Sequence, residues 1–383
     1  QGWEVLVEAY RHEAADESFL NFFWTWRYAY LPLFNLLSCK VPEAKLYHTI
    51  CTGYAGLLAA TAKIRTGRPM LLTEHGIYLK ERRIEINRAT WIRDWESDEV
   101  AAERQLPYFK QFWIQQFATM SQICYQNADE ILTLHQGNAE EQMREGGDPR
   151  RIRIVANGID LHKYQAAAQR LAQRAAGAPF TVGFVGRVTP IKDVKTLLSA
   201  VRLVADQVSD LRVRIMGGME EDPSYAEECK QFMFALHLED IVKFEGRVDV
   251  IRELPTIDVV VLTSISESQP LAILEAGAVG LPFVATNVGS CAELAGGRTP
   301  ADRQVGIGGL ITPIAAPGAT ARALLKLHRN PALRRRMGRT MQERVRRFYD
   351  ESTMVDEYRE LYGKYVRAPV ALDAEPAAPA SRG

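Results

Sequence analysis

The second half of the chain switches repeatedly between two periodicities, and this restricts its fold more than any other feature. Short apolar runs rich in β-branched residues recur at 180–186 (FTVGFVG), 211–218 (LRVRIMGG), 241–246 (IVKFEG), 258–264 (DVVVLTS) and 282–286 (PFVAT). Helical patterns separate most of them, at 194–208, 225–238 and 271–279. Runs without polar alternation suit strands buried on both faces. Strand–helix–strand repeats close as right-handed crossovers, so the expected fold is α/β with a parallel sheet covered by helices. Ligands of such sheets sit at the carboxyl ends of the strands.

The first half repeats the alternation less cleanly. Strands are expected at 44–50, 68–76 and 130–135, and helices at 53–67 and 108–127. Asn157-Gly158 is turn chemistry, and the Ala/Gln-rich stretch after it marks a domain boundary. Residues 320–366 read as helices only, with seven arginines from Arg334 to Arg347 taken as a solvated face, a patch for an anionic membrane being the alternative. The Ala/Pro-rich tail 367–383 is expected to be disordered. The expected organisation is therefore a first domain over 1–160, a second over 161–345, a C-terminal helix over 346–366 packing back toward the first domain, and the tail.

Composition excludes some functions. Lys+Arg and Asp+Glu both number 47, so no global field favours nucleic acid. The 5 cysteines are scattered without a CxxC pair, which argues against zinc and disulfides and fits a reducing cytoplasm. The aromatic stretch 19–37 is interrupted by Asn21, Arg27, Pro32 and Asn35. A cation at a bilayer centre costs about 2.5–3.5 kcal/mol, so this stretch reads as a buried or partner-facing helix.

Three loops at expected strand ends carry chemistry. The first, SESQPLAILEAG, places Glu267 on a loop and Glu275 inside the following helix, with Pro270 in the first turn. The loop amides and helix N-terminus form an anion-binding end. Carboxylates beside an anion site suit sugar hydroxyls, one on a hexose and one on a ribose; a helix cap and a surface glutamate are the plainer alternative. The second, VGRVTPIKD, places Arg187 and Lys192 after the turn at Gly186, where a basic pair can grip a diphosphate. Two solvated cations are its alternative. The third is Thr73-Glu74-His75-Gly76, with His75 at a strand end; a hydrogen-bonded structural histidine would look the same. No DxD triplet, Walker A loop, GxGxxG after a strand or GxSxG elbow is present.

Several pieces together resemble the donor domain of the GT4 family of retaining glycosyltransferases. They are Gly186-Arg187 with Lys192, Met216-Gly217-Gly218, Phe244-Glu245-Gly246 and Glu267 with Glu275. Gly280-Leu281-Pro282, Thr286 to Gly289 and Asn157-Gly158-Ile159-Asp160 complete the set. The stretch LLTEHGIYLKERRIEINRATWI (71–92) resembles the PelF branch, the cytoplasmic transferases of Pel exopolysaccharide biosynthesis. The resemblance implies a GT-B fold, with two Rossmann-like doubly wound parallel-sheet domains facing a cleft. It implies that Arg187 and Lys192 hold the donor diphosphate, Glu275 the ribose, and Glu267 the reactive side of the hexose. Gly186 and the groups around Gln269, Pro270 and Leu271 would line the sugar and phosphate, Gly217 and Glu245 would flank the nucleobase, and His75 would face the donor sugar.

The implied reaction is transfer of a hexose or N-acetylhexosamine from a UDP-sugar to a growing polysaccharide, with retention, without a metal and without another cofactor. The implied location is cytoplasmic, with recruitment to an inner-membrane synthase complex by partner proteins. A non-catalytic nucleotide-sugar-binding or scaffold subunit of such a complex is the alternative; a phosphorylase would need a pyridoxal-linked lysine that no segment suggests. Family acceptor domains open with a strand and glycine-rich loop not found here, and the chain begins with Gln1. The expectation is a first domain truncated at its N-terminus, which puts this chain's own activity in question.

Overall fold

The structure is a computed structural model, which describes residues 2–89, 92, 107–174 and 177–367. The tail expected past residue 367, and residues 90 and 91 of the stretch 71–92, lie outside the described residues. Two units divide the chain. One lies within Gln1–Thr133, Asn138–Ile154 and Glu360–Gly383; the other is Leu134–Gly137 with Val155–Arg359.

The first unit holds four parallel strands, β1 (Tyr47–Thr49), β2 (Met70–Glu74), β3 (Glu130–Thr133) and β4 (Ile152–Ile154), in that spatial order. β2 and β3 are buried at every position, with an apolar centre and with Thr73, Glu74, Glu130 and Thr133 buried at their ends. The helix Tyr54–Thr66 ends at Gly67, whose φ of 67° closes the helix in the left-handed region. The helix Phe19–Ser38 covers the aromatic stretch and buries only Phe22 and Ala29. Among the described residues no helix is long and apolar enough to cross a membrane.

The second unit has six parallel strands: β5 (Thr181–Val185), β6 (Arg212–Met216), β7 (Val242–Gly246), β8 (Val259–Leu262), β9 (Phe283–Thr286) and β10 (Gly309–Thr312). Their spatial order is β10-β9-β8-β5-β6-β7. The chain works outward from β5 in one direction and then, from β8, in the other. The order reverses between β5 and β8, and sheets of this kind take ligands beyond the carboxyl ends of the strands at such a point. Apolar clusters cover both faces of the sheet, one including Val182, Leu197, Val213 and Leu324, the other Val260, Ile273, Phe283 and Met341.

Three expectations are corrected. β10 was not foreseen: GLIT is short and glycine-led, and it becomes a strand because Gly309 lets the Phe283 ring lie where a side chain would stand, 2.4 Å from an added Cβ. The stretch 346–366 is not one helix. The helix Pro331–Phe348 ends at the buried Tyr349, and Asp350 accepts from Ser352 N at 2.8 Å before the helix Glu351–Arg367 begins. Asp350 also bridges to Ile159, which bends the chain at that point.

The arginines, finally, are not one solvated face. Arg344 is fully buried, pairs with Asp302 at 2.6 Å, and donates to the carbonyls of Leu294, Ala295, Asp302 and Gly306. Arg334 lies over the Phe180 ring and pairs with Asp258 at 3.2 Å. A charge pattern along a helix does not reveal which cations meet buried acceptors from distant segments.

Candidate functional site

The loops leaving β5 and β8 are fastened to each other at the point where strand order reverses. Ile265 N donates to Ile191 O at 2.8 Å, and Thr263 Oγ1 donates to Lys192 O and Asp193 O at 3.1 and 2.9 Å. Asp193 takes a φ of 46° and caps the helix Val194–Ala205 by accepting from Thr196 N. That left-handed turn ends the β5 loop and directs the preceding Lys192 toward β8.

Lys192 Nζ meets Glu267 Oε1 at 2.5 Å, with side chains only 19% and 11% exposed. Ser264 Oγ donates to the same oxygen at 2.6 Å. The Glu267 loop is held from behind as well. Ser290 N donates to Ser268 O at 2.8 Å, and Gly289, at a φ of 52°, approaches so closely that a Cβ there would lie 2.1 Å from Ser268 O. The loop after β5 is pinned in a comparable way: a Cβ on Gly217 would stand 1.9 Å from Gly186 O. Val188 N donates to Gly218 O at 2.9 Å. These two glycines are required because backbone passes where side chains would be.

The next helix, Leu271–Val279, starts beyond the carboxyl end of β8. Pro270 stands at its N-cap, one position before the first turn expected for it, and its own side chain offers no cap bond. The amides of a helix start favour an anion. Gln269 is buried, and its Oε1 accepts from Asn157 N at 2.6 Å. Leu271 is half exposed. Glu275 is half-buried one turn further on. Burial pushes the Glu275 carboxyl up from its ordinary value, and the Tyr164 hydroxyl opposes that. Burial and then the charge of Glu267 push the Cys291 thiol up to about 12.

The expected residues thus divide. Lys192 and Glu267 come together; Gln269, Pro270 and Leu271 lead from them into the helix that carries Glu275. Arg187 is not part of that pair: it is exposed and pairs with Glu221. Glu245 accepts from Arg214 Nε and Nη2 at 3.0 and 2.6 Å, and Arg214 also holds Glu253 at 2.8 Å. His75 belongs to the first unit, exposed on the turn after β2, with its carbonyl accepting from Asn138 Nδ2 at 3.2 Å.

Sequence reasoning missed three side chains. Ser264 and Thr263 gave no signal, because one hydroxyl at the end of an apolar run looks like any other. Glu74 was quoted beside His75 without a role. It is fully buried at the end of β2, accepting from Tyr125 Oη at 2.6 Å, Gln142 Nε2 at 3.0 Å, Thr52 Oγ1 at 3.2 Å and Tyr78 N at 3.3 Å. The last bond caps the helix Tyr78–Arg88, which has no cap from its own N-cap residue Ile77. Burial raises the Glu74 carboxyl, and the four donors pull the other way.

Residues 179–330, which include both fastened loops, match the family model described as Glycosyl transferases group 1. Residues 1–150 match a separate model described as a domain of unknown function, DUF3492. Relatives of this chain include D-inositol 3-phosphate glycosyltransferases. That of Kineococcus radiotolerans is 32% identical over 234 residues, 55% of this chain and 52% of its own. That of Saccharomonospora viridis is 29% identical over 226 residues, 55% of this chain and 51% of its own. The chain spans about half the length of the curated relatives it matches.

Solved structures share its fold. HepE from Anabaena, in complex with UDP and glucose, aligns with a TM-score of 0.62 at 19% identity, covering 88% of this chain and 80% of its own. Sucrose-phosphate synthase from Thermosynechococcus elongatus aligns at 0.62 and 20% identity, covering 84% and 73%. The fold class is GT-B, with parallel sheets flanked by helices, as the resemblance implied.

Proposed function

We propose that this chain moves a hexose or N-acetylhexosamine from a UDP-linked donor to a growing exopolysaccharide of the Pel type, with retention at the anomeric carbon. The observation that carries the proposal is the Lys192–Glu267 ion pair, seated where strand order reverses among the residues that match the group 1 glycosyltransferase model. A cation held there by a carboxylate is positioned before any ligand arrives. The start of the helix Leu271–Val279 adds a second positive pole.

Both would stabilise charge developing on a departing diphosphate, and preorganised dipoles and cations are the largest electrostatic contribution an enzyme makes to such a step. Glu267 would accept from a hexose hydroxyl, and Glu275 from a ribose hydroxyl. Arg187, exposed and paired with Glu221, would swing onto the diphosphate. With protein cations in this role, the reaction would need no metal. UDP as the carrier draws support from HepE, which was solved with UDP and glucose. The Pel-type acceptor, cytoplasmic location and recruitment to a membrane synthase rest on the resemblance of residues 71–92. His75 would orient donor sugar or acceptor by that same analogy.

Calorimetry of the chain against UDP, GDP and ADP tests the donor, followed by transfer from UDP-glucose, UDP-GlcNAc and UDP-GalNAc with and without EDTA. UDP is expected to bind most tightly, and turnover is expected to survive EDTA. Preference for ADP or GDP, or activity lost to EDTA and restored by Mg²⁺, would overturn the corresponding part. UDP binding with no transfer to any acceptor would favour the non-catalytic subunit.

A further inference from the structure

Glu267 Oε1 has two partners of different kinds. Lys192 Nζ meets it at 2.5 Å, and Ser264 Oγ donates to it at 2.6 Å. Among the described residues none donates to the other oxygen, Oε2. The carboxylate is therefore held through one oxygen, and its second oxygen keeps its accepting capacity for a ligand.

The two partners differ in freedom. The Lys192 ammonium stands at the end of a flexible four-carbon stem, and it is the cation that an arriving diphosphate would take up. The Ser264 hydroxyl turns on a single side-chain torsion, and its backbone is fixed on both flanks. Thr286 Oγ1, at the end of β9, donates to Ser264 O at 2.6 Å. Ile265 N, the next residue along, donates to Ile191 O in the β5 loop at 2.8 Å. Ser264 and Thr286 are both fully buried. A donor fixed in this way sets the position of Oε1. It also sets where Oε2 points, because the two oxygens share one rigid plane.

We propose that Ser264 is a positioning residue: it keeps hold of Glu267 Oε1 when Lys192 turns to the donor diphosphate, and so presents Oε2 to a hydroxyl of the donor hexose. This rests on the reading of Glu267 as the hexose contact. Two partners on one oxygen then divide the ligand between them, Lys192 serving the diphosphate and Ser264, through Glu267, serving the sugar. Removing each should leave a different mark on binding.

The test is calorimetry of the chain, with thermal unfolding as the folding control. The ligands are UDP, the UDP-hexose that binds most tightly, and the 3-, 4- and 6-deoxy analogues of that donor. Wild type is expected to prefer the parent donor about tenfold over at least one analogue, as a hydrogen bond to a charged group implies. In Ser264→Ala that preference should fall to about twofold, with affinity for UDP and for the analogue unchanged. Ser264→Cys keeps the shape of the side chain with only a weak donor. It should show the same fall, and it carries the test if the alanine variant does not fold. Lys192→Ala should do the reverse: every ligand weakens by about 10- to 100-fold, and the preference stays.

Wild type that treats parent and analogues alike, or a preference that survives Glu267→Ala, would refute the hexose reading of Glu267 itself. A preference intact in Ser264→Ala, or lost in Lys192→Ala, would refute the role of Ser264 and leave that reading standing. Equal weakening of UDP, parent and analogues in Ser264→Ala would mark a scaffold residue and refute it as well.

Discussion

Replacing Glu267 with glutamine removes the charge that Lys192 faces and keeps an oxygen for Ser264 Oγ, which donates to it at 2.6 Å. The substitution acts on binding and on transfer with opposite sign. In the resting site the Lys192 ammonium is neutralised at 2.5 Å, with both side chains largely shielded from water. An arriving diphosphate must share that ammonium with a carboxylate. A carboxylate about 6 Å from the phosphate repels it by about 2.8 kcal/mol at an effective dielectric near 20. Partial exposure and mobile salt reduce this to about 1 kcal/mol, which is about fivefold in Kd. Glu267→Gln should therefore bind UDP about fivefold more tightly than wild type.

The same substitution should lower sugar transfer by about a hundredfold, the usual scale for removing a charged group from a reacting centre. Lys192→Ala should weaken UDP by about 10- to 100-fold, because it removes the cation and leaves the carboxylate facing the phosphate. Calorimetry with UDP and a coupled transfer assay read both quantities. Tighter UDP binding with slower transfer is the expected signature. Glu267→Gln that weakens UDP binding, or leaves turnover at the wild-type level, would show that the pair is a structural bridge and not the donor site.

Other consequences reach beyond the site. Arg344→Met strands Asp302, which is 1% exposed, and should cost about 3–5 kcal/mol in chemical denaturation, whereas Arg346→Ala, on the exposed side of the same helix, should change little. Gly217→Ala forces apart the strand ends of β5 and β6, where a Cβ would meet Gly186 O at 1.9 Å; UDP affinity and the thermal midpoint should both fall, and an unchanged midpoint would contradict that contact. Burial raises the Glu74 carboxyl above its ordinary 4.5, so the folded state holds this proton more tightly than the unfolded chain. Its contribution to stability is fully present below that value and is lost as pH rises through the folded pKa. Relative to Glu74→Gln, the wild-type chain should lose about 1.4 kcal/mol per pH unit across that window in denaturant titrations; a constant difference would refute the assignment.

The legible parts of this protein were those governed by neighbours along the chain. Five of the six strands of the second sheet stood out as short runs rich in β-branched residues, and β5, β8 and β9, buried at nearly every position, are apolar for that reason. β10 did not, since its strand character depends on Phe283 occupying the space beside Gly309. Glu267 and Lys192 could be singled out because each follows a strand. Nothing local told Arg187, which meets Glu221, from Lys192, which meets Glu267. Arg344 was hidden in the same way among exposed arginines.

The sequence by itself determined the alternation of elements, the loops that carry charge and the glycines that let those loops approach. Those features depend on backbone propensity and on the periodicity of burial, which act over a few residues. Only the tertiary structure decided which charges pair, which are shielded from water, and which hydroxyls hold them. Lys192 and Glu267 are 75 positions apart. Strand order brings them together, and a hydrogen bond between side chains depends on distance in space, which separation along the chain does not set.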